Sequence, residues 1–237
     1  MPARDYSPGA MARGHARADG TLPSAEERAQ ARKIGDRLAR LYPEFGTALD
    51  YGSPWQLLVA TVLSAQTTDE NVNKVIPVLF DRYPTPDDLA AANPEDVEEI
   101  VFSTGFFRQK TKSIIALASD LVEKYGGAVP ADIDELTKLR GVGRKTASVV
   151  LAEAFGVPAI AVDTHVKRLS NRLGLTTEKD PVKIESDLKA LLPKSRWRQL
   201  SMRLIQYGRD VCDARKPKCF DCRLENLCPY PDKRMSE

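Results

Sequence analysis

The chain has 237 residues, with 35 Lys and Arg against 33 Asp and Glu for a net charge of +2, and 42% of it is hydrophobic. That length and composition suit one large domain or two small ones sharing an interface, and the near-neutral balance does not announce a nucleic-acid binder. No stretch approaches the roughly 18 unbroken apolar residues of a membrane span, no apolar signal region opens the chain, and all four cysteines fall in the last 26 residues, which excludes a secreted disulfide scaffold.

Residues 1–23 are rich in Ala, Arg, Gly and Pro and read as a disordered tail, because such a segment buries too little surface to offset its ordering entropy. Arg4, Arg13 and Arg17 are available there to a polyanion, although a solvated tail is the plainer reading. The segment shares only its arginines with a mitochondrial targeting peptide and lacks the amphipathic period. Ser24 with Glu27 forms a capping box that predicts a helix to about Arg40. Ser53-Pro54 with Gln56 repeats the signal, and Thr85-Pro86, Asn93-Pro94 and Asp180-Pro181 reuse the cap-then-proline device. Asp69 is expected to cap a segment reaching Tyr83, with Pro77 bending or dividing it. Ile114, Leu117, Leu121 and Tyr125 place a helix over 107–124, closed by Gly126-Gly127. Further helices are expected over 134–140, 144–155, 164–173, 181–192 and 196–207. No period-two strand is found, so the fold class is all-α.

Charge is unevenly spread. Residues 84–101 carry six acidic side chains and no basic one, whereas residues 183–218 carry ten Lys and Arg against four Asp and Glu. The basic region is a weak polyanion signal, equally consistent with a solvated helix face.

The most informative stretch is Leu136-Thr137-Lys138-Leu139-Arg140-Gly141-Val142-Gly143-Arg144-Lys145-Thr146-Ala147, a short helix ending in a glycine turn from which a second helix starts at once. Gly141 and Gly143 permit positive φ and close backbone approach. The second helix would present unpaired N–H groups to a phosphate. A plain αα-hairpin is the alternative, and a strand-dependent nucleotide site is unlike this pattern because no strand precedes the glycines. Lys145 lies in the first turn of that helix, where the dipole and Arg144 both disfavour an ammonium, and a nucleophilic lysine must be neutral. Partial burial or substrate proximity would have to supply most of the effect. Asp163, in Val162-Asp163-Thr164-His165, is placed either to cap the next helix or to face Lys145 from a pocket edge. His165 reads as structural or as a phosphate contact rather than a general base.

Cys212, Cys219, Cys222 and Cys228 have the spacing C-x6-C-x2-C-x5-C, which points to metal coordination. With one C-x2-C knuckle rather than two, the spacing favours a [4Fe–4S] cluster over zinc. The loop between the first two cysteines carries Arg215, Lys216 and Lys218, and anchoring both its ends to a metal centre would make a rigid phosphate-docking platform.

The hairpin, the Val-Asp-Thr-His segment and the cysteine loop, in this order from about residue 30 onward, resemble the endonuclease III family of helix-hairpin-helix DNA glycosylases. The resemblance implies a bifunctional base-excision-repair glycosylase and AP lyase acting on duplex DNA with oxidised pyrimidines or abasic sites, with a [4Fe–4S] cofactor. In it Lys145 attacks the deoxyribose C1′ of a flipped nucleotide, Asp163 stabilises the developing sugar cation, and β-elimination from the resulting imine nicks the strand. Gln66 is implied as the residue that fills the vacated base position. Phe106 is implied as an intercalating tip beside Arg108, although alone it reads as a core aromatic. Gly141, Gly143, Arg144, His165, Arg215, Lys216 and Lys218 complete the implied DNA contacts.

The implied architecture has two all-α lobes: a six-helix barrel at 47–157 and a cluster domain made from 24–46 and 158–237. A monomer, free of membranes and associated with the nucleoid in the cytoplasm, is expected. The sister adenine-mismatch glycosylase shares the hairpin and cluster but lacks the lysine, and a non-catalytic DNA-binding module with a structural metal is the alternative from another class.

Overall fold

A computed structural model describes residues 15–236. Among them it has eleven α-helices joined by turns and short 3-10 segments, with no strand. In chain order the helices are α1 (Ala25–Leu41), α2 (Pro54–Leu63), α3 (Asp69–Arg82), α4 (Pro86–Ala90), α5 (Pro94–Val101), α6 (Phe107–Tyr125), α7 (Ile133–Thr137), α8 (Arg144–Ala154), α9 (Thr164–Arg172), α10 (Pro181–Leu191) and α11 (Trp197–Asp210).

Side-chain caps define most starts. Ser24 and Glu27 exchange both capping-box bonds at α1, and Ser53, Thr85, Asn93 and Asp180 each accept a first-turn N–H ahead of a proline. Boundaries differ from expectation at three helices, of which α11 runs on past Tyr207 to Asp210. Thr68, not Asp69, caps α3, its hydroxyl accepting from Asn71 N, and Asp69 occupies the first helical position. Helix α7 starts at Ile133 under Asp132 and stops at Thr137, so Leu139 and Arg140 already belong to the turn. Pro77 does not divide α3, and it lies on the exposed face of the helix.

Apolar side chains gather into two cores. One is built by α2 to α8, with Leu57, Leu58, Leu63, Leu79, Leu89, Ile114, Leu117, Leu121 and Leu136 fully buried. The other joins α1 to α9, α10 and α11 through Ile34, Leu38, Leu169, Ile184, Leu188 and Leu204. Each such side chain contributes roughly 1.5–3 kcal/mol on leaving water. A small third cluster of Val149, Ala161 and Met202, flanked by Phe45 and Ile205, joins α8 to α11.

Helix α8 is also clamped at both ends to the second core. At its start Arg144 grips the buried Glu185 of α10 through Nε at 2.6 Å and Nη2 at 3.2 Å. Near its end Glu153, whose side chain is 2% exposed, takes a two-point bond from Arg198 of α11 at 2.8 and 3.0 Å and accepts from Thr47 N at 3.1 Å. Planar two-point pairs of this kind fix orientation as well as distance.

The segment expected as a disordered tail is corrected in part. Residues 1–14 lie outside the described residues, but 15–23 pack on the second core's surface. The His15 ring lies 5.1 Å from that of Trp197, Arg17 pairs with Glu27 at 2.7 Å, and Ala18 N donates to Asp187 Oδ1 at 3.1 Å. The composition argument failed because this short stretch borrows an existing surface instead of building its own.

Candidate active site

The hairpin between α7 and α8 is shaped by one glycine rather than two. Gly141 has φ +78°, and a Cβ there would stand 3.2 Å from the Ser113 Cβ, so both conformation and space demand glycine. Gly143 is extended at φ −84° as the cap residue of α8, and nothing lies within 4 Å of where its Cβ would be. Its value is open space. No side chain caps α8, so its first N–H groups face that space together with the positive end of the helix dipole. The incoming limb is held from α6 by Asp120, whose Oδ2 accepts from Arg140 N at 2.8 Å and Arg140 Nε at 3.0 Å. Burial alone would push this carboxyl up, but the Arg140 and Lys124 bonds prevail and hold it well below the usual carboxylate range.

Lys145 is exposed, which leaves substrate proximity rather than burial to favour its neutral form, and lines a cavity of about 510 Å³ between the two cores. Asp163, half-buried at the start of α9, lines the same cavity. It caps α9 as well, since its Oδ1 accepts from His165 N and Val166 N, both at 2.9 Å. The two readings of this residue are therefore compatible, one oxygen holding the helix and the carboxylate bordering the cavity. Arg144 is turned away from a free phosphate role by Glu185.

His165 is packed against α11 at Gly208, where a Cβ would stand 2.8 Å from its Nδ1. That Nδ1 lies 3.0 Å from Arg168 Nη2, the guanidinium donating. Burial, helped by Arg168 and Arg209, pushes the imidazole below its ordinary value against the opposing pull of Asp163, so it is neutral at physiological pH. Packed against Gly208 with Nδ1 engaged by Arg168, the imidazole fits the structural role.

Sequence reading missed Asp69 and Arg209, which border the cavity and approach each other across it at 3.4 Å. Asp69 ends the Gln66 segment and reads in sequence only as a helix cap, and only the folded chain brings it to Arg209.

Two further loops carry the residues implied to enter the duplex. Gln66 and Phe106 are the only non-glycine residues with positive φ among those described, at +56° and +49°. Phe106 is 67% exposed, which overturns its reading as a core aromatic. Arg108 is exposed behind it, 3.7 Å from Glu98 and stacked over the Phe107 ring. A left-handed aromatic costs roughly 1–2 kcal/mol and persists only where the surroundings enforce it.

The four cysteine side chains are half-buried and gather at one site, walled by Leu169, Leu173 and Leu224. Arg172 Nη1 lies 3.3 Å from Cys212 Sγ and the Tyr207 hydroxyl 3.1 Å from Cys222 Sγ, polar partners suited to thiolate charge. Burial pushes the Cys222 and Cys228 thiols up. Among the described residues no group of donors converges on a single ion, and a [4Fe–4S] cluster, which takes one thiolate per iron, does not require it. In the basic loop Asp213 folds back on Arg215 N and Lys216 N at 2.8 Å each, leaving those side chains exposed. Lys218 instead donates to Asp210 O at 3.0 Å, capping the end of α11.

Comparison with known proteins agrees with this geometry. Residues 59–194 match the HhH-GPD superfamily of base excision DNA repair proteins. Endonuclease III of Synechocystis sp. is 52% identical over 86% of this chain and 94% of its own length. The solved structure of a non-covalent endonuclease III–DNA complex superposes with a TM-score of 0.81 at 45% identity, covering 85% of this chain and 95% of that one. A trapped endonuclease III–DNA covalent intermediate gives the same TM-score, identity and coverage. The chain belongs to the HhH-GPD superfamily and, within it, to the endonuclease III family of base-excision-repair DNA glycosylases with AP lyase activity.

Proposed function

We propose that this enzyme removes oxidised pyrimidines from duplex DNA with Lys145 as nucleophile and Asp163 as its partner. The observation that carries the reading is that both groups line one cavity between the cores, beside an uncapped helix start. That start would seat a backbone phosphate, and the cavity would receive the flipped nucleotide.

The Lys145 amine forms a bond to C1′ as the bond from C1′ to the base breaks, the electron pair leaving with the base. Asp163 offsets the positive charge that builds on the sugar in that step and takes the proton the amine sheds. The C1′–O4′ bond then breaks, its electron pair and the amine's remaining proton going to O4′, so that the opened sugar is held as an imine on Lys145. Loss of a C2′ proton drives out the 3′ phosphate oxygen with its electron pair, which cuts the strand. A covalent intermediate trapped on DNA in a relative of 45% identity supports this route.

Cys212, Cys219, Cys222 and Cys228 would hold a [4Fe–4S] cluster. The group would act as a structural cross-link that stiffens the loop from 212 to 228. Of the basic side chains there, Arg215 and Lys216 are free to meet phosphate. Gln66 and Phe106 would enter the duplex where the nucleotide leaves it. On this reading the enzyme works as a monomer on the nucleoid; no helix among the described residues is long and apolar enough to cross a membrane.

Borohydride should trap the wild-type enzyme covalently on duplex DNA containing an oxidised pyrimidine, and Lys145→Ala should abolish the adduct. A Lys145→Ala enzyme that still traps and cuts normally would end the mechanism.

A further inference from the structure

We propose that Asn71 is a positioning residue that couples the loops of Gln66 and Phe106, so that both meet the duplex as one rigid unit. Its amide nitrogen donates to Thr67 Oγ1 at 3.1 Å, one residue from Gln66, and to Ser103 O at 2.8 Å, three residues from Phe106. An amide nitrogen carries two protons, and here each loop takes one. The side chain is itself fixed, because Asn71 is the third residue of α3 and its backbone N–H is held by the capping Thr68.

The two loops are otherwise separated by α3, α4 and α5 in sequence. Both carry a strained, exposed residue, and strain of this kind survives only when neighbours over-determine the backbone. The second loop has one further anchor. Buried Lys110 donates to Thr104 O at 2.7 Å from the first turn of α6, holding the 3-10 turn from below. Asn71 therefore supplies the bond that runs between the loops, and Lys110 the bond that seats one of them. Displacing either loop alone would leave Gln66 and Phe106 acting on different base steps.

This inference rests on the enzyme unstacking a duplex, and the test separates the two. Intact lesions must be levered from the stack, whereas an abasic site has no base to extrude. Asn71→Ala and the bulkier, donor-free Asn71→Leu should lower single-turnover excision from a thymine-glycol duplex about tenfold, while cleavage of a preformed abasic duplex stays within about threefold. A 2-aminopurine placed opposite the lesion should also brighten less on binding than with wild type. Equal losses on the two substrates would make Asn71 merely structural, and no loss on either would remove it from the wedge. Either result overturns the proposal. Failure of the wild-type enzyme to be trapped on the abasic duplex would overturn the underlying mechanism instead.

Discussion

Replacing Asp120 by Asn tests whether the glycine hairpin is held by charge or merely by packing. The side chain is 3% exposed and binds Arg140 N, Arg140 Nε and Lys124 Nζ at 2.8, 3.0 and 2.8 Å. Asparagine keeps the shape and one acceptor but removes the charge all three donors face. A hydrogen bond to a charged group is worth about 1.5–3 kcal/mol, so removing the charge that these donors share should cost about 2–3 kcal/mol. For a protein of this size that is a fall in Tm of about 4–12 °C.

The pH dependence gives a second handle on the same residue. The folded carboxyl lies below its unfolded value, so its contribution is complete above the unfolded value of about 3.9 and is lost as pH falls through the folded one. Urea denaturation of both proteins from pH 7 to pH 3 should show a constant gap down to about pH 4, then a shrinking one. A neutral-pH gap under about 0.5 kcal/mol, the range of ordinary surface substitutions, would refute the argument. So would a gap that does not change with acid.

Gly141→Ala should cost about 1–2 kcal/mol from the left-handed backbone alone and weaken DNA binding, measured by fluorescence anisotropy on an abasic-analogue duplex. Gly143→Ala should be milder on stability, since its Cβ meets nothing, yet still weaken binding where a phosphate approaches. Lys216→Ala should lower the salt slope of binding by about one, whereas Lys218→Ala should change the slope less and Tm more, because its ammonium is spent on the end of α11. Slopes unchanged from wild type in both variants would remove the loop from the interface. Purified protein should be brown with about four irons per chain, and colourless protein with one zinc would contradict the cluster.

Much of the site was legible because its parts are local. A hairpin, an Asp-Thr-His segment and four cysteines each lie within a few turns of chain, and their residue types carry their chemistry with them. Caps were legible for the same reason, since Ser24, Ser53, Thr85 and Asp180 satisfy N–H groups three residues away. What sequence left open depends on contacts between distant segments. Arg144 reads as a free cation beside a phosphate seat until Glu185 of α10 arrives against it. Phe106 reads as core because aromatics usually are, and only its left-handed backbone and exposure place it outside.

Asn71 shows the limit most clearly. In sequence it is one more polar residue in the first turn of a helix, where Asn, Asp and Ser are common and uninformative. Its meaning comes from Ser103, thirty-two residues away, whose carbonyl is brought to it by the packing of α3 against the 3-10 turn. The same holds for Glu153, a helical glutamate by composition that becomes a buried anchor once Arg198 and Thr47 converge on it. Local chemistry thus identifies which groups can react, while the long-range polar contacts determine where they are held. A substitution at Glu153 or Asn71 should accordingly change how well the site works without changing what it does.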